Sequence, residues 1–204
     1  MMRLLIMGPP GAGKGTQARK IAEHYAIPAI STGDIFRANV SKGTPLGLKV
    51  KAIMAEGGYV GDDVTNEIVT NRLLEDDTNQ GWLLDGYPRT LQQVEHLDSV
   101  MNEHGVHLDA VLCLLADVDE VVARLHLRAV EEGRDDDSPE AIRARQEKYL
   151  LETSPLIETY RQRDLLVEVN GLGPIDEVTG RIFEALDAHG QLLHKAAASP
   201  AAAP

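Results

Sequence analysis

The chain of 204 residues contains a single cysteine, Cys113. One thiol excludes a disulfide framework within the chain and a cysteine-based zinc cluster, which needs several thiolates. Basic residues are also scarce: 20 Lys and Arg face 32 Asp and Glu, for a formal net charge of -12. That balance argues against broad binding to nucleic acid or to an anionic membrane, since both require a dominant basic surface. Any basic site must therefore be local. Long hydrophobic runs are missing too. The opening MMRLLIMG has one basic residue and a short apolar run, less than a signal peptide's hydrophobic segment and far less than a membrane span. These features predict a soluble, cytoplasmic protein. The seven histidines show no His-Glu-x-x-His spacing, and no internal repeat is present. Large apolar residues also stop after Leu193, so residues 194–204 are expected to be a disordered tail, although some Ala-rich helix could persist into it.

What is present is a regular alternation. Apolar strand-like runs at 3–7, 28–30, 82–84, 111–115 and 165–169 alternate with helical patterns, the signature of βαβ units around a parallel sheet covered on both faces. The predicted fold is a doubly wound α/β domain with a five-stranded parallel sheet. Asp62 is positioned to cap a helix over 63–75, with Val64, Ile68 and Leu73/Leu74 as its apolar stripe. Thr90 opens a helix through Val94, Leu97 and Met101 that should stop near Gly105. Asp119 opens 121–128. Ser138, with Pro139 at the first helical position, opens a long helix that Pro155 should kink or divide.

Two stretches break the alternation. Residues 31–60 hold two short helical patterns where a plain crossover would need only one, and the polar residues 129–137 lie between helices. They are read as an inserted substrate-side subdomain and a short lid. The core then comprises 1–30, 61–128 and 138–190.

The first strand runs into GPPGAGKGT, residues 8–16. A strand end, a glycine-rich turn and a helix N-terminus together form an anion trap: backbone N–H groups face inward and the helix end carries partial positive charge. Lys14 adds a point charge for β and γ phosphate oxygens. The hydroxyl of the usual G-x-x-x-x-G-K-[ST] loop arrives one position late, as Thr16 after Gly15. Two helical positions rotate a side chain by roughly 200°, so Lys14 and Thr16 do not point together. Mg²⁺ would then rely on ATP oxygens and water. Asp85, at the end of the third strand, is the best carboxylate to hold that hydrated ion, unless it merely caps a turn.

Beside the loop stand STGDIFR (31–37), GGYVGDDVT (57–65), DGYPRTLQQ (85–93), RLHLR (124–128), and the arginines at 134, 143 and 145. Together with GPPGAGKGT, in this order and spacing, they closely resemble the adenylate kinases of the nucleoside monophosphate kinase family, over residues 3–190 or so. The resemblance implies reversible phosphoryl transfer from MgATP to AMP, giving two ADP. It also implies an AMP-binding subdomain at 31–60, a lid at 129–137 and a monomer without nucleic-acid or membrane partners. Many bacterial members carry a longer lid, sometimes with cysteine-bound zinc. The nine-residue lid here has no cysteine, so no zinc is expected.

Carried over residue by residue, the resemblance places ATP on Gly11, Ala12, Gly13, Lys14, Gly15, Thr16, Arg128 and Gly173. AMP falls to Thr32, Arg37, Gly58, Tyr59, Val60, Gly86, Arg89, Gln93, Arg134 and Arg145. Lys14, Arg89, Arg124, Arg134 and Arg145 are the catalytic candidates, while Arg143 is read as solvent-exposed. The chemistry agrees independently, because phosphoryl transfer rests on positioning and on neutralising charge. Guanidinium suits Arg37 and Arg89 because it bonds phosphate bidentately. Arg124 and Arg128, four apart, share a helix face and can grip one polyphosphate. Simpler explanations stand beside several of these. Ser31 and Asp34 satisfy a helix capping box, Gly86 and Gly173 suit ordinary turns, and Cys113 suits a buried strand.

Thr32 favours AMP over pyrimidine nucleotides, since related pyrimidine kinases typically carry Ala there. A UMP/CMP kinase remains the rival within the class, and a slowly hydrolysing nucleotide switch the rival outside it. The switch leaves Arg37, Arg89 and the lid arginines unemployed, and the chain has no N-K-x-D motif.

Overall fold

The computed structural model describes residues 2–117, 120, 121, 123–125 and 138–198. At its centre lies β1 (Met2–Met7), hydrogen-bonded in parallel to β3 (Gly81–Asp85) on one side and β4 (Ala110–Leu115) on the other. β2 (Ala29–Ser31) pairs with β3 and β5 (Leu166–Asn170) with β4, so five parallel strands run in the order β2-β3-β1-β4-β5. The chain leaves β1 for one half of the sheet and returns to build the other. Such a reversal opens a crevice at the strands' carboxyl ends.

Period-two alternation sends β1 side chains to both faces. Leu4 and Ile6 join Ile21 of α1 (Lys14–Tyr25) and Val178, Ile182 and Leu186 of the C-terminal helix, Ile175–Ala198. Leu5 and Met7 join Val94 and Leu97 of α5 (Leu91–Glu103) and Tyr160 of the helix Pro155–Gln162 on the other face. Leu4, Leu5, Leu83 and Leu84 are all fully buried, so truncating any one to Ala should cost ~2–5 kcal/mol. Strand positions agree with the sequence reading to within one residue.

Residues 31–60 do fold as two helices, α2 (Thr32–Ser41) and α3 (Pro45–Ala55), around a small cluster of Phe36, Val50 and Val60. Ser31 accepts the Asp34 N–H at 3.2 Å, so the capping interaction forms. Gly47 sits in the first turn of α3 against the Asn39 backbone, where a side chain would not fit. α3 ends on Gly57 in the left-handed region (φ 74), with Gly57 N–H bonded to Met54 O and Gly58 N–H to Ile53 O, the paired bonds of a Schellman cap.

One expected cap is corrected. α4 spans Asp62–Leu73 with Gly61 as its N-cap, so Asp62 lies inside the helix and makes no cap bond. Its carboxylate instead accepts from Thr90 and Gln93. The expected stripe on α4 also divides: Val64 and Ile68 pack against the Phe36 cluster, while Val69 and Leu73 pack in the main core. Thr90 does cap α5, accepting the Gln93 N–H at 3.2 Å. Ser138 caps α6 (Pro139–Lys148) at 3.1 Å. The long helix is divided at Pro155: α6 passes into a π-helical turn, Tyr149–Thr153, and α7 (Pro155–Gln162) starts at the proline. The last helix, α8 (Ile175–Ala198), carries regular backbone into the stretch expected as tail. Among the described residues no helix is long and apolar enough to cross a membrane.

Candidate active site

A cleft of about 660 Å³ opens at the carboxyl ends of the strands, lined by the loop after β1, the α2 start, the β3–α5 turn and α6. Gly13 is the N-cap of α1 with φ 87, and no side chain caps the helix, so its first turn faces the cleft. The loop comes close to the segment beyond β4: a Cβ on Gly11 would lie 2.5 Å from the Val121 carbonyl oxygen. Lys14 Nζ donates to the carbonyls of Gly8 (2.8 Å) and Pro9 (2.9 Å), which folds the ammonium back over the loop. Gln146 of α6 donates to Pro10 O at 3.0 Å and ties the loop to the opposite wall. Gly11, Ala12, Gly13, Gly15 and Thr16 all line the cleft, as expected of a phosphate-binding loop.

The residues expected on the acceptor side meet beside this loop. Thr32 is 2 % exposed and donates its hydroxyl hydrogen to Gly86 O at 2.9 Å. Arg89 Nε donates to the same carbonyl at 2.8 Å, and Arg89 N–H donates to Gln93 Oε1 at 2.7 Å. Gln93 thus lines the cleft while its side chain braces Arg89. Arg37 folds over Gly33 and pairs with Asp34 at 2.6 Å. Gly58, Tyr59 and Val60 form the wall opposite, and the Tyr59 ring lies 4.7 Å from the Arg89 guanidinium carbon.

Arg124 and Gly173, expected on the donor side, line the cleft. Arg124 donates to Gly171 O at 3.3 Å and pairs with Glu120, four residues earlier on the same helical stretch. Arg145 lines the cleft from α6, whereas Arg143 is exposed on that helix. Arg128, Arg134, Asp119 and the expected lid at 129–137 lie outside the described residues.

Electrostatics concentrate here against the overall acidity. Burial depresses the Arg89 guanidinium's pKa; Tyr59 and Asp85 oppose that, while the like charges of Arg145 and Arg37 add to it. Three arginines close enough to repel one another favour an anion between them. Asp85 stands at the cleft floor, its Oδ2 3.6 Å from where a Gly15 Cβ would sit. Burial raises its carboxyl above the ordinary range, although Lys14 and Arg89 pull in the other direction. Among the described residues no group of three or more His, Cys, Asp or Glu side chains is arranged to hold a metal ion. Asp85 and Asp34 are the carboxylates among the described residues that line the cleft, and Asp34 is paired with Arg37; so few acidic ligands fit an ion that arrives on a nucleotide's phosphates and keeps its water.

Two residues at the cleft lack a sequence signal. Thr153 lines the cleft from the π-helical turn, and Gln17 reaches from α1 to the Ile175 carbonyl (3.1 Å) beside the cleft. Neither belongs to a motif. Only the Pro155 break marked the region of Thr153.

A phosphate loop at the switch point of a five-stranded parallel sheet, faced by converging arginines, defines a P-loop nucleotide phosphotransferase. A family model described as adenylate kinase matches residues 6–165. An adenylate kinase of Nocardioides sp. is 63 % identical over 186 residues, covering 91 % of this chain and 97 % of that one. One from Leifsonia xyli subsp. xyli is 64 % identical over 189 residues (93 % and 95 %), and one from Kocuria rhizophila 53 % over 187 (92 % and 100 %). The chain belongs to the adenylate kinase family. Its activity is the reversible transfer of a phosphoryl group between ATP and AMP.

Proposed function

We propose that ATP lies along residues 11–16 and AMP between residues 31–60 and the β3–α5 turn, with the γ-phosphoryl group passing between them. The observation that carries this placement is the convergence of Arg37, Arg89 and Arg145 beside the loop of Lys14. The attacking atom is an oxygen of the AMP phosphate. It forms a bond to the γ-phosphorus as the bond to the β–γ bridging oxygen breaks, so one ADP forms and another leaves. The attacking oxygen is already anionic and no general base is required. Lys14 and Arg124 meet the donor phosphates. Arg37 and Arg89 hold the acceptor, and Arg145 bridges to the group in transfer. In-line positioning and charge neutralisation carry the rate.

Mg²⁺ enters as MgATP, and Asp85 would orient its water shell. Thr32 and Gln93 recognise the base. The Thr32 hydroxyl gives its hydrogen to Gly86 and keeps lone pairs for an amino group, while the Gln93 amide keeps a second N–H beyond its bond to Asp62. Residues 31–60 act as the AMP flap. Residues 129–137, read from sequence alone, act as the ATP lid, bringing Arg134 and, just before it, Arg128. Closure of both excludes water that would otherwise hydrolyse the donor. The enzyme works as a cytoplasmic monomer in adenine-nucleotide balance.

The test is ADP formation from ATP with AMP, CMP or UMP as acceptor, each with and without Mg²⁺. AMP with Mg²⁺ should far exceed the other combinations. Faster transfer to CMP or UMP would make this a pyrimidine kinase. Tight ATP binding without transfer to AMP would make it a nucleotide switch.

A further inference from the structure

Tyr59 lies just past α3 and Thr153 in the π-helical turn, 94 positions apart, yet their hydroxyl oxygens are 3.0 Å apart. Thr153 gives its hydrogen to the Arg89 carbonyl at 2.9 Å. A hydroxyl has only one hydrogen, so Tyr59 is the donor to Thr153. Arg89 is thereby held along its length: N–H by Gln93 (2.7 Å), carbonyl by Thr153, Nε by Gly86 (2.8 Å), and guanidinium face by the Tyr59 ring at 4.7 Å. A second cation, Lys148 Nζ on α6, lies 5.5 Å from the centre of the same ring. The wide turn brings the buried Thr153 hydroxyl (residue 6 % exposed) to this place, as π-turns often do at functional sites.

Lining the cleft at residues 58–60 requires no particular side chain at position 59. The phenol bonds the turn and covers the arginine at once, which lining the cleft does not explain. We propose that Tyr59 and Thr153 are positioning residues for the acceptor site: Tyr59 latches the 31–60 segment to the π-helical turn, and together they hold Arg89 oriented toward the acceptor phosphate. The latch deepens the AMP-site assignment and rests on it.

Steady-state ADP formation tests the latch, with AMP varied at saturating ATP and ATP varied at saturating AMP. Losing the Tyr59 hydrogen bond in Tyr59→Phe should raise KM for AMP by about 2- to 10-fold, with KM for ATP changed by less than about 2-fold. Thr153→Val should do the same, Thr153→Ser should restore the wild-type value, and the Tyr59→Phe/Thr153→Val double variant should be no worse than the worse single variant. Tyr59→Leu, which also removes the ring face, should lower kcat further. An unchanged KM for AMP in Tyr59→Phe, or equal rises in both KM values, would overturn the latch. Tyr59→Phe keeps the ring at a half-buried position and decides alone if Thr153→Val fails to fold. A wild-type enzyme without AMP-dependent ADP formation would instead remove the acceptor site itself.

Discussion

Gln93 donates a side-chain N–H to Asp62 at 2.7 Å, joining the start of α5 to the start of α4 beside the proposed acceptor site. Gln93 is 1 % exposed, so little water reaches its amide in place of Asp62. Removing Asp62 leaves that amide and the Thr90 hydroxyl short of an acceptor. Asp62→Ala should therefore lower stability by ~1–3 kcal/mol. It should also raise KM for AMP, because Gln93 then braces Arg89 less firmly. Urea denaturation and acceptor-side kinetics would show both effects, and an unchanged midpoint would remove Asp62 from this role.

In the proposed mechanism Arg89 and Lys14 carry the transfer itself. Alanine at either position should reduce turnover by on the order of 10²–10⁵, as for other groups that stabilise a transferring phosphoryl. Arg89→Lys should recover little, since a single ammonium cannot replace a guanidinium fixed through Nε to Gly86. Near-normal activity of Arg89→Ala in a coupled assay would contradict the assignment.

The Gly57 cap joins the 31–60 segment to α6. Its φ of 74 strains any L side chain, and an added Cβ would run into the Ala141 carbonyl. Gly57→Ala should cost ~1–3 kcal/mol, and each kcal/mol should lower Tm by about 2–4 °C in a domain of this size. Differential scanning calorimetry reads the shift directly. A Tm within about 1 °C of wild type would mean the cap relaxes freely.

Cys113 provides a pH signature. Burial first, and the Glu168 charge second, push its thiol from 9.0 up to about 11. The folded state then holds the proton more tightly than the unfolded chain. Stability from this group is complete below pH 9 and is lost as pH rises toward about 11, on the order of 2 kcal/mol. Burial likewise raises Tyr87, Tyr149 and Tyr160, whose contribution is lost at still higher pH. Urea titrations at pH 8, 9.5 and 11 should show a shallower decline for Cys113→Val than for wild type. Parallel declines would separate the thiol from alkaline unfolding.

The fold was legible because its signals are local. Apolar runs fixed the strands to within a residue, and Thr90 and Ser138 capped the helices their sequence positions implied. Asp62 was misread because a side chain at a helix start can serve either its own backbone or a neighbouring helix, and only packing decides between them. In the site, the glycine loop and the arginines at 37, 89, 124 and 145 stood out as chemistry that an acidic chain would otherwise lack, and the structure brings them to one cleft. Thr153 was not, since its partners Tyr59 and Arg89 lie 94 and 64 positions away and a lone Thr carries no pattern.

The π-helical turn also limits how the chain can change length. In an ordinary helix, removing one residue rotates everything beyond it by about 100°. Across 149–153 the Ser154 N–H instead reaches back five residues to Tyr149 O (2.8 Å), so losing one residue would let the wide turn close to α-helical form, drawing Thr153 back from Arg89 and Tyr59 while α7 stays nearly in phase. Substitutions at exposed Leu150 and Leu151 should be well tolerated, yet a single deletion between Tyr149 and Thr153 should raise KM for AMP at least as much as Thr153→Val does. Thr153 apart, it is the number of residues in this turn, more than their identity, that sets where its hydroxyl falls beside Arg89.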